Sequence, residues 1–377
     1  MNARTMPGLD VLLGNGAAQL KNKRVGLITN QTGVTVDGTQ NADALLALGV
    51  NVKALFSPEH GIRGLLDTHV VDGRDLGTGL PIYSLYGENK APQQQQLASL
   101  DALVFDVQDA GARFYTYSST LGLCMEAASK YGIEFIVLDR PNPIGGLAIE
   151  GPNAEDSLLS FVAYHTVPTR HGLTSGELAM LYNSEKQLHC QLNVVPCRHW
   201  RRDMLWDATG LAWINPSPNM RSFTQALLYP GICPLEVTNV SVGRGTDTPF
   251  EHFGAPWLDA LRFADTLRAM NLPGVSFVPV HFTPQSSTFA GIRCAGINVV
   301  ISDRARFHPV LTGLAVMEAL LKTHRSEWNP HRVETLLGSR ELLLRLQQGA
   351  SARGLTALLK HDREVFEARR RPCLIYG

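Results

Sequence analysis

Residues 51–64 read NVKALFSPEHGIRG, an apolar segment that stops at a proline and is followed by polar side chains. Its first seven residues have the composition of a β-strand, and Pro58 cannot donate a hydrogen bond to a sheet. Glu59, His60 and Arg63 follow within five residues of that proline. The segment therefore predicts a strand whose carboxyl end carries an acid, an imidazole and a guanidinium group.

Apolar strand-like segments alternate with helix-like segments through the first half of the chain. The strand-like segments are RVGLITN (24–30), NVKALFS (51–57), PIYSLYG (81–87), DALVFDV (101–107), GIEFIVLD (132–139) and LNVVPC (192–197). Helix-like segments occur at 41–49, 116–132 and 174–186, and Thr174 with Glu177 fits a capping box. Near-continuous apolar strands separated by helices are typical of a parallel sheet covered on both faces. We predict an α/β fold with a Rossmann-like parallel sheet.

The sequence changes in character after about residue 215. Residues 231–256 are rich in glycine, proline and polar side chains. Two strand-like segments (276–282 and 296–302) and two helix-like segments (311–324 and 333–349) come later in the chain. We predict two domains. These are a Rossmann-like domain at 1–220 that carries the chemistry, and a smaller α/β domain at 221–377 that closes the active-site cleft.

The composition restricts the classes of partner. Lysine plus arginine equals aspartate plus glutamate at 34 each, so the chain has no net charge to attract nucleic acid or an anionic membrane. No apolar run is long enough to span a bilayer, and no signal peptide is visible. The six cysteines are scattered, as is typical of reduced thiols. We expect a cytoplasmic protein with a small-molecule partner, or a periplasmic or secreted one if a signal was trimmed.

Polar side chains follow four of the predicted strands at the point where each strand ends. In chain order they are Asn30; Glu59, His60 and Arg63; Asp109, Arg113, Tyr115 and Tyr117; and Asp139 and Asn142. In open parallel sheets, ligands bind beyond the carboxyl ends of the strands. Four such strand ends predict a cleft that binds a polar ligand.

Some of these side chains also have structural interpretations. Asp106 could cap a neighbouring helix or hold a loop, and Asp139 could form a buried ion pair with Arg140. His60 could orient a catalytic neighbour rather than act itself. Glu59 has the strongest case for a functional role, because a carboxylate between a proline and a histidine is a poor choice for a plain turn.

Several familiar motifs are absent from the sequence. There is no G-x-G-x-x-G after a strand, no P-loop, no G-x-S-x-G and no H-E-x-x-H. A metal site from His60, His69 and Asp72 would have nonspecific spacing, so we expect no metal and no cofactor. The remaining carboxylates, arginines, tyrosines and asparagines suit glycoside hydrolysis. That reaction generally needs one carboxyl to protonate the leaving oxygen and a second group on the other face of the sugar.

Long ordered motifs resemble one family of such enzymes. They are GLITNQTGV (26–34), LFSPEHGIRG (55–64), DVQDAGARFYTY (106–117), LDRPNPIGG (138–146), EGP (150–152), RHGLTSGELA (170–179), NPSPNM (215–220), LYPG (228–231) and LEVTNVSVGRGTDTPFEHFGAP (235–256). Together they resemble the exo-β-N-acetylmuramidase family of NamZ-like glycoside hydrolases. One departure is Val237, where many relatives are expected to carry a glycine.

The resemblance implies release of terminal N-acetylmuramic acid from the non-reducing ends of peptidoglycan fragments during cell-wall recycling. It implies an active site between the two domains, with Glu59 of the S-P-E-H-G-x-R-G motif as the leading catalytic candidate. Our hypothesis makes Glu59 the general acid and His60 its orienting neighbour. Asp109 or Glu236 would be the second carboxylate, or would position the acetamido group if the substrate assists the reaction.

The expected substrate carries a lactyl carboxylate, so its site should supply a cation. Arg63, Arg113 and Arg244 are the candidates, because an arginine fork binds a carboxylate with two parallel hydrogen bonds. Further substrate contacts are expected from Asn30, Tyr115, Tyr117, Asp139, Asn142 and Asn239. Two alternatives stay open at this point: a non-catalytic two-lobed module that binds sugars or muropeptides, and a phosphate- or nucleotide-handling enzyme on the same sheet.

Overall fold

The computed structural model of the chain describes residues 3–63 and 72–377. Its strands are β1 (Arg24–Thr29), β2 (Asn51–Ser57), β3 (Gly73–Arg74), β4 (Pro81–Ser84), β5 (Ala102–Asp106), β6 (Glu134–Leu138), β7 (Glu150–Asn153), β8 (Pro168–Arg170), β9 (Leu192–Val195), β10 (His252–Ala255), β11 (Val275–Phe282) and β12 (Cys294–Ile301). Its α-helices are α1 (Gly8–Gly14), α2 (Asn41–Ala47), α3 (Gln94–Leu97), α4 (Tyr117–Lys130), α5 (Ser175–Glu185), α6 (Phe223–Ile232), α7 (Ala260–Ala269), α8 (Pro309–Thr323), α9 (Val333–Leu337), α10 (Arg340–Gln347), α11 (Ala352–Leu358) and α12 (Lys360–Arg370).

The large sheet has the strand order β3-β4-β2-β1-β5-β6-β9. All neighbouring pairs are parallel except β3 with β4 at the edge. After β1 the chain adds β2 and β4 on one side, and then β5, β6 and β9 on the other. This reversal produces a switch point between β1 and β5, the place where open α/β sheets usually bind ligands. The predicted α/β fold with a Rossmann-like sheet is confirmed.

Both faces of the large sheet are buried, which explains why its strands lack polar alternation. Leu103 and Phe105 of β5 belong to the apolar cluster on the side of α4 and α5, whereas Ala102 and Val104 pack with α1 and α2 on the opposite face. Successive side chains of a strand point to opposite faces, so a strand buried on both must be apolar throughout.

The second part of the chain contains a three-stranded antiparallel sheet with the order β10-β12-β11. Its apolar residues belong to the same cluster as one face of the large sheet, so the two parts share a continuous core. Helices α6 and α8 cross at Gly231 and Gly313. A Cβ atom at Gly231 would lie 2.0 Å from the Pro309 carbonyl oxygen, and only glycine permits that approach.

The predicted helix at 174–186 is confirmed as α5, including its capping box. Thr174 Oγ1 accepts from the Glu177 amide at 3.2 Å, and Glu177 Oε2 accepts from the Thr174 amide at 3.0 Å. The single helix predicted over 333–349 is wrong. Gly338 has a φ of +83° and ends α9, and Ser339 then caps α10 by accepting from the Leu342 amide at 3.1 Å.

Within residues 3–63 and 72–377, no helix combines the length and the apolar character that crossing a membrane requires.

Candidate active site

A cavity of about 380 Å³ lies beyond the carboxyl ends of β2 and β5, and both parts of the chain line it. Its volume is in the range of small-molecule sites. The charged and titratable side chains in its wall include Glu59, His60, Tyr86, Tyr115, Tyr229, Glu236 and Arg244. A cavity next to Gln108 and Arg140 measures about 70 Å³, and others at His308, Asn183 and Leu147 measure about 320, 490 and 590 Å³, so the lining residues and not the volume identify the site.

Glu59 is positioned by the end of β2 and by the start of α4. The strand stops at Ser57, Pro58 follows, and the half-buried Glu59 side chain then lines the cavity. The Thr116 hydroxyl, one residue before α4, donates a short hydrogen bond to Glu59 Oε2. A carboxylate that is anchored at one oxygen presents the other in a defined direction.

His60 adopts a left-handed backbone conformation with a φ of +73°, and its side chain lines the cavity next to Glu59. This conformation costs a residue with a Cβ atom about 1 kcal/mol. Local strain of this kind clusters at functional sites, where the surrounding structure maintains it.

Glu236 and Arg244 form an ion pair in the wall that the second part of the chain contributes. Glu236 lies on the 3₁₀ turn Cys233–Val237, which continues α6, and Arg244 lies on the loop before β10. Both side chains are about three-quarters buried. The Cys233 thiol lies 3.7 Å from Glu236 Oε2. The structure thus brings a second carboxylate and a cation into the same cavity as Glu59.

Asp109 lies behind the cavity wall, not in it. It is buried, and its Oδ2 accepts from the Gly111 amide at 2.7 Å, which stabilises the turn after β5. Burial raises the pKa of Asp109 to about 7. Glu236, and not Asp109, therefore shares the cavity with Glu59.

Arg113 does not line the cavity, contrary to the expectation that it contacts substrate. Its guanidinium is buried and donates to the carbonyl oxygens of Pro152 at 3.3 Å, Val167 at 3.2 Å and Leu336 at 2.5 Å. Desolvation lowers the pKa of Arg113 to about 10. The sequence motif that contains Arg113 is part of the site, but this side chain joins backbone segments beneath it.

Arg63 also is not among the residues that line the cavity. It pairs with Asp75 at 3.1 Å in the turn before β4, and 62% of its side chain is exposed. The sequence places Arg63 four residues after Glu59, but it does not reveal that the chain turns back between them at His60 and Gly61, both of which have positive φ.

Four other predicted substrate contacts have structural partners beyond the cavity wall. Asn30 donates to the Tyr117 hydroxyl at 3.0 Å, and Tyr117 donates to the Pro216 carbonyl oxygen at 2.6 Å, which fixes the 215–220 loop. Asn142 donates to the Leu173 carbonyl oxygen at 2.9 Å. Asn239 binds the backbone at 327–329 through two hydrogen bonds of 2.7 Å. Of the predicted tyrosines, Tyr115 lines the cavity and Tyr117 supports it.

Asp139 and Arg140 are both buried, but they do not pair with each other as the sequence allowed. Asp139 accepts from Gly176 at the start of α5 at 2.8 Å, and from the Thr174 and Tyr376 hydroxyls. Arg140 instead pairs with Asp106 at 2.6 Å. Adjacent residues of an extended segment point in opposite directions, so the two side chains have different neighbours.

Several residues that the sequence did not predict also line the cavity, and all of those named here except Tyr86 lie inside the family motifs. Thr116 lies in DVQDAGARFYTY, and Ser217 and Asn219 lie in NPSPNM; all three line the cavity. Tyr86 and Tyr229 also line it. A search for charged side chains passes over hydroxyls, and the motifs themselves were the signal that could have identified Thr116 and the 215–220 loop.

The metal alternative depends partly on His69, which lies outside the described residues. Within the described ranges, no group of three histidine, cysteine or acidic side chains has the arrangement to hold a metal ion.

The chain is similar to known proteins over its whole length. Two models of the exo-β-N-acetylmuramidase NamZ match it, the N-terminal model over residues 25–224 and the C-terminal model over residues 227–376. The peptidoglycan β-N-acetylmuramidase NamZ of Bacillus subtilis is 40% identical, and the match covers 99% of this chain and 92% of that protein.

Two crystal structures of DUF1343 family proteins from Bacteroides fragilis have the same fold. One is 38% identical with a TM-score of 0.92, and the match covers 99% of each chain. The other is 30% identical with a TM-score of 0.81, and the match covers 100% of this chain and 99% of that one. The resemblance in the motifs is confirmed: this chain belongs to the exo-β-N-acetylmuramidase NamZ family.

Proposed function

We propose that this protein is an exo-acting glycoside hydrolase that releases terminal β-linked N-acetylmuramic acid from the non-reducing end of peptidoglycan fragments. The observation that carries the proposal is the cavity that Glu59 shares with the Glu236–Arg244 ion pair. It supplies an acid, a second carboxylate and a cation, which are the groups that hydrolysis of an acidic sugar needs. The family to which the chain belongs supports the same reaction.

Glu59 is the general acid in this proposal. Its carboxyl group protonates the glycosidic oxygen as the bond to the anomeric carbon breaks, and the leaving sugar departs as an alcohol. The hydrogen bond from Thr116 to Oε2 leaves Oε1 to face the substrate. His60, whose side chain also lines the cavity, is assigned an orienting role toward Glu59.

Glu236 is the second carboxylate, because Asp109 lies outside the cavity wall. It acts on the opposite face of the ring, either on water or on the acetamido group of the substrate. Arg244 binds the lactyl carboxylate. A guanidinium has five N–H donors in a planar fork, so Arg244 can keep its ion pair with Glu236 while it donates to a second carboxylate.

The test is release of the chromophore from an aryl β-N-acetylmuraminide and from the matching glucosaminide. We expect wild type to cleave the muraminide preferentially, and Glu59→Gln to retain the fold and lose turnover. Wild-type rates in Glu59→Gln would reject the acid assignment. Tight binding of muramic sugars without any product would instead indicate the non-catalytic binding module.

We also infer the division into domains at 1–220 and 221–377, with the second domain closing the cleft. It is supported by the two family models, which meet between residues 224 and 227. We propose a cytoplasmic location, where the products would be recycled. All six cysteines are free and buried, as expected of a protein from a reducing compartment. Fractionation of cells that express the tagged full-length protein would test the location.

A further inference from the structure

Two aromatic side chains and one lysine pack together at the border of the cavity. Tyr86 lines the cavity, and its ring centroid lies 6.2 Å from that of Phe161. The Lys90 ammonium lies 4.7 Å over the Phe161 ring. We call Tyr86, Phe161 and Lys90 the aromatic platform. None of the reaction steps assigned to Glu59, Glu236 and Arg244 uses it.

Hydrogen bonds position the backbone at Tyr86 and at Phe161. The Tyr86 amide donates to Ser84 Oγ at 3.2 Å, and Ser84 is the last residue of β4. Phe161 is at the tip of a two-residue turn that Ser160 and Ala163 close with two hydrogen bonds of 3.0 Å. The backbone of Tyr86 is therefore held by the residue that ends β4, and its ring packs against the ring of Phe161.

Tyr86 and Glu59 both line the cavity, and they follow neighbouring strands of the large sheet. Ser57 pairs with Ser84 in the parallel strands β2 and β4, and each of the two residues lies two positions beyond its serine. Neighbouring strands lie about 4.8 Å apart. On the other side of β2, the sheet order leads to the loop after β5, which contributes Phe114 to the cavity wall. In the order of the strands, Glu59 after β2 lies between Tyr86 after β4 and Phe114 after β5.

The two sides differ in exposure. Phe114 and Tyr115 are 3% and 6% exposed, whereas Tyr86 and Phe161 are half-buried and Lys90 is exposed. The glycosidic oxygen that Glu59 protonates joins two rings, which must lie on either side of the acid. An enzyme that removes a terminal sugar encloses that sugar and lets the remaining chain extend toward solvent. The half-exposed side is therefore the one available to the leaving group.

We propose that the aromatic platform binds the leaving-group saccharide, with the apolar face of its pyranose ring against the ring of Tyr86. Phe161 and Lys90 hold Tyr86 in the orientation that this contact needs. The proposal rests on the proposed hydrolase function and adds a subsite to it, which selects substrates by the group on the leaving side of the glycosidic bond.

The experiment compares kcat/KM for two substrates that differ only in the leaving group. One is the disaccharide of N-acetylmuramic acid β-linked to N-acetylglucosamine, and the other is methyl β-N-acetylmuraminide. In Tyr86→Ala the ratio of the two values, disaccharide over methyl glycoside, should fall about tenfold. Phe161→Leu should lower the same ratio by a smaller factor, since it keeps apolar volume but removes the ring.

The matched control is Tyr131→Ala. Tyr131 is also half-buried, and the Lys130 ammonium lies 5.3 Å over its ring, but Tyr131 follows α4 and does not line the cavity. Its substrate ratio should equal that of wild type.

A wild-type ratio in folded Tyr86→Ala, with folding checked by circular dichroism, would overturn the proposal. If Tyr86→Ala does not fold, the same ratio of kcat/KM values is measured in Phe161→Leu and Lys90→Ala. A wild-type ratio in both variants would reject the subsite. If wild type cleaves neither substrate, the hydrolase function itself fails and the subsite falls with it.

Discussion

The Arg113 guanidinium donates to the carbonyl oxygen of Leu336, which lies 223 positions later in the chain. Arg113 precedes Phe114, Tyr115 and Thr116, all of which line the cavity, and Leu336 lines it from the second part of the chain. One buried hydrogen bond therefore connects the two walls of the cavity. Because Arg113 makes three such bonds to backbone carbonyls, its removal would leave several buried acceptors without a donor.

Gly338 gives a test of this connection. Its φ is +83°, and a Cβ atom there would lie 2.5 Å from the Arg113 guanidinium, which is held by its carbonyl partners. Gly338→Ala should lower the free energy of unfolding by about 2–4 kcal/mol, measured by urea denaturation. Gly349→Ala is the matched control, because Gly349 also has a positive φ but a Cβ atom there meets nothing within 4 Å. Equal losses in the two variants would show that the contact with Arg113 is unimportant.

Thr116 is expected to act through Glu59. Thr116→Val keeps the shape of the side chain but removes the hydroxyl that donates to Glu59 Oε2. We expect kcat on an aryl muraminide to fall about 10- to 100-fold, because the acid loses its fixed orientation. Thr116→Ser, which restores the donor, should recover most of the rate. A serine variant as slow as the valine variant would point to packing as the cause.

Arg244 should control the choice between muramides and glucosaminides. Arg244→Ala should lower kcat/KM for the muraminide at least about tenfold more than for the glucosaminide, since only the muraminide carries the lactyl carboxylate. Arg63→Ala is the comparison, because Arg63 is exposed and pairs with Asp75. It should change both values by the same factor. If Arg63→Ala were the selective variant, the assignment of the lactyl contact would pass to Arg63.

Asp109 should make the stability of the protein depend on pH. Burial raises its pKa in the folded state from 3.8 to about 7, so the folded state holds this proton more tightly than the unfolded state does. The contribution of Asp109 to stability is therefore present below about pH 4 and is lost as the pH rises toward 7. Asp109→Asn should lack this loss and be more stable than wild type at pH 8.

Chemical denaturation of both proteins at pH 5 and pH 8 measures the effect. A difference between wild type and Asp109→Asn that does not change with pH would show that Asp109 has an ordinary pKa in the folded state.

The fold class and the end of the strand before Glu59 could be predicted from the sequence alone. Strands that are buried on both faces must be apolar throughout, and helices that alternate with such strands indicate a parallel sheet. Both features can be recognised in the local composition of the chain. The break at Pro58 marked the end of β2, and the motifs around Glu59 identified the family.

Which polar residues meet in the cavity depends on the tertiary structure. Arg113 and Arg244 are indistinguishable as candidates in the sequence, yet one lies beneath the cavity and the other in its wall. Likewise, Asp109 is buried outside the cavity wall, whereas Glu236 lines the cavity. The direction of a side chain depends on turns such as that at His60, and the second wall comes from residues more than 100 positions away. Long-range packing therefore determines the composition of the site, and local sequence patterns do not contain that information.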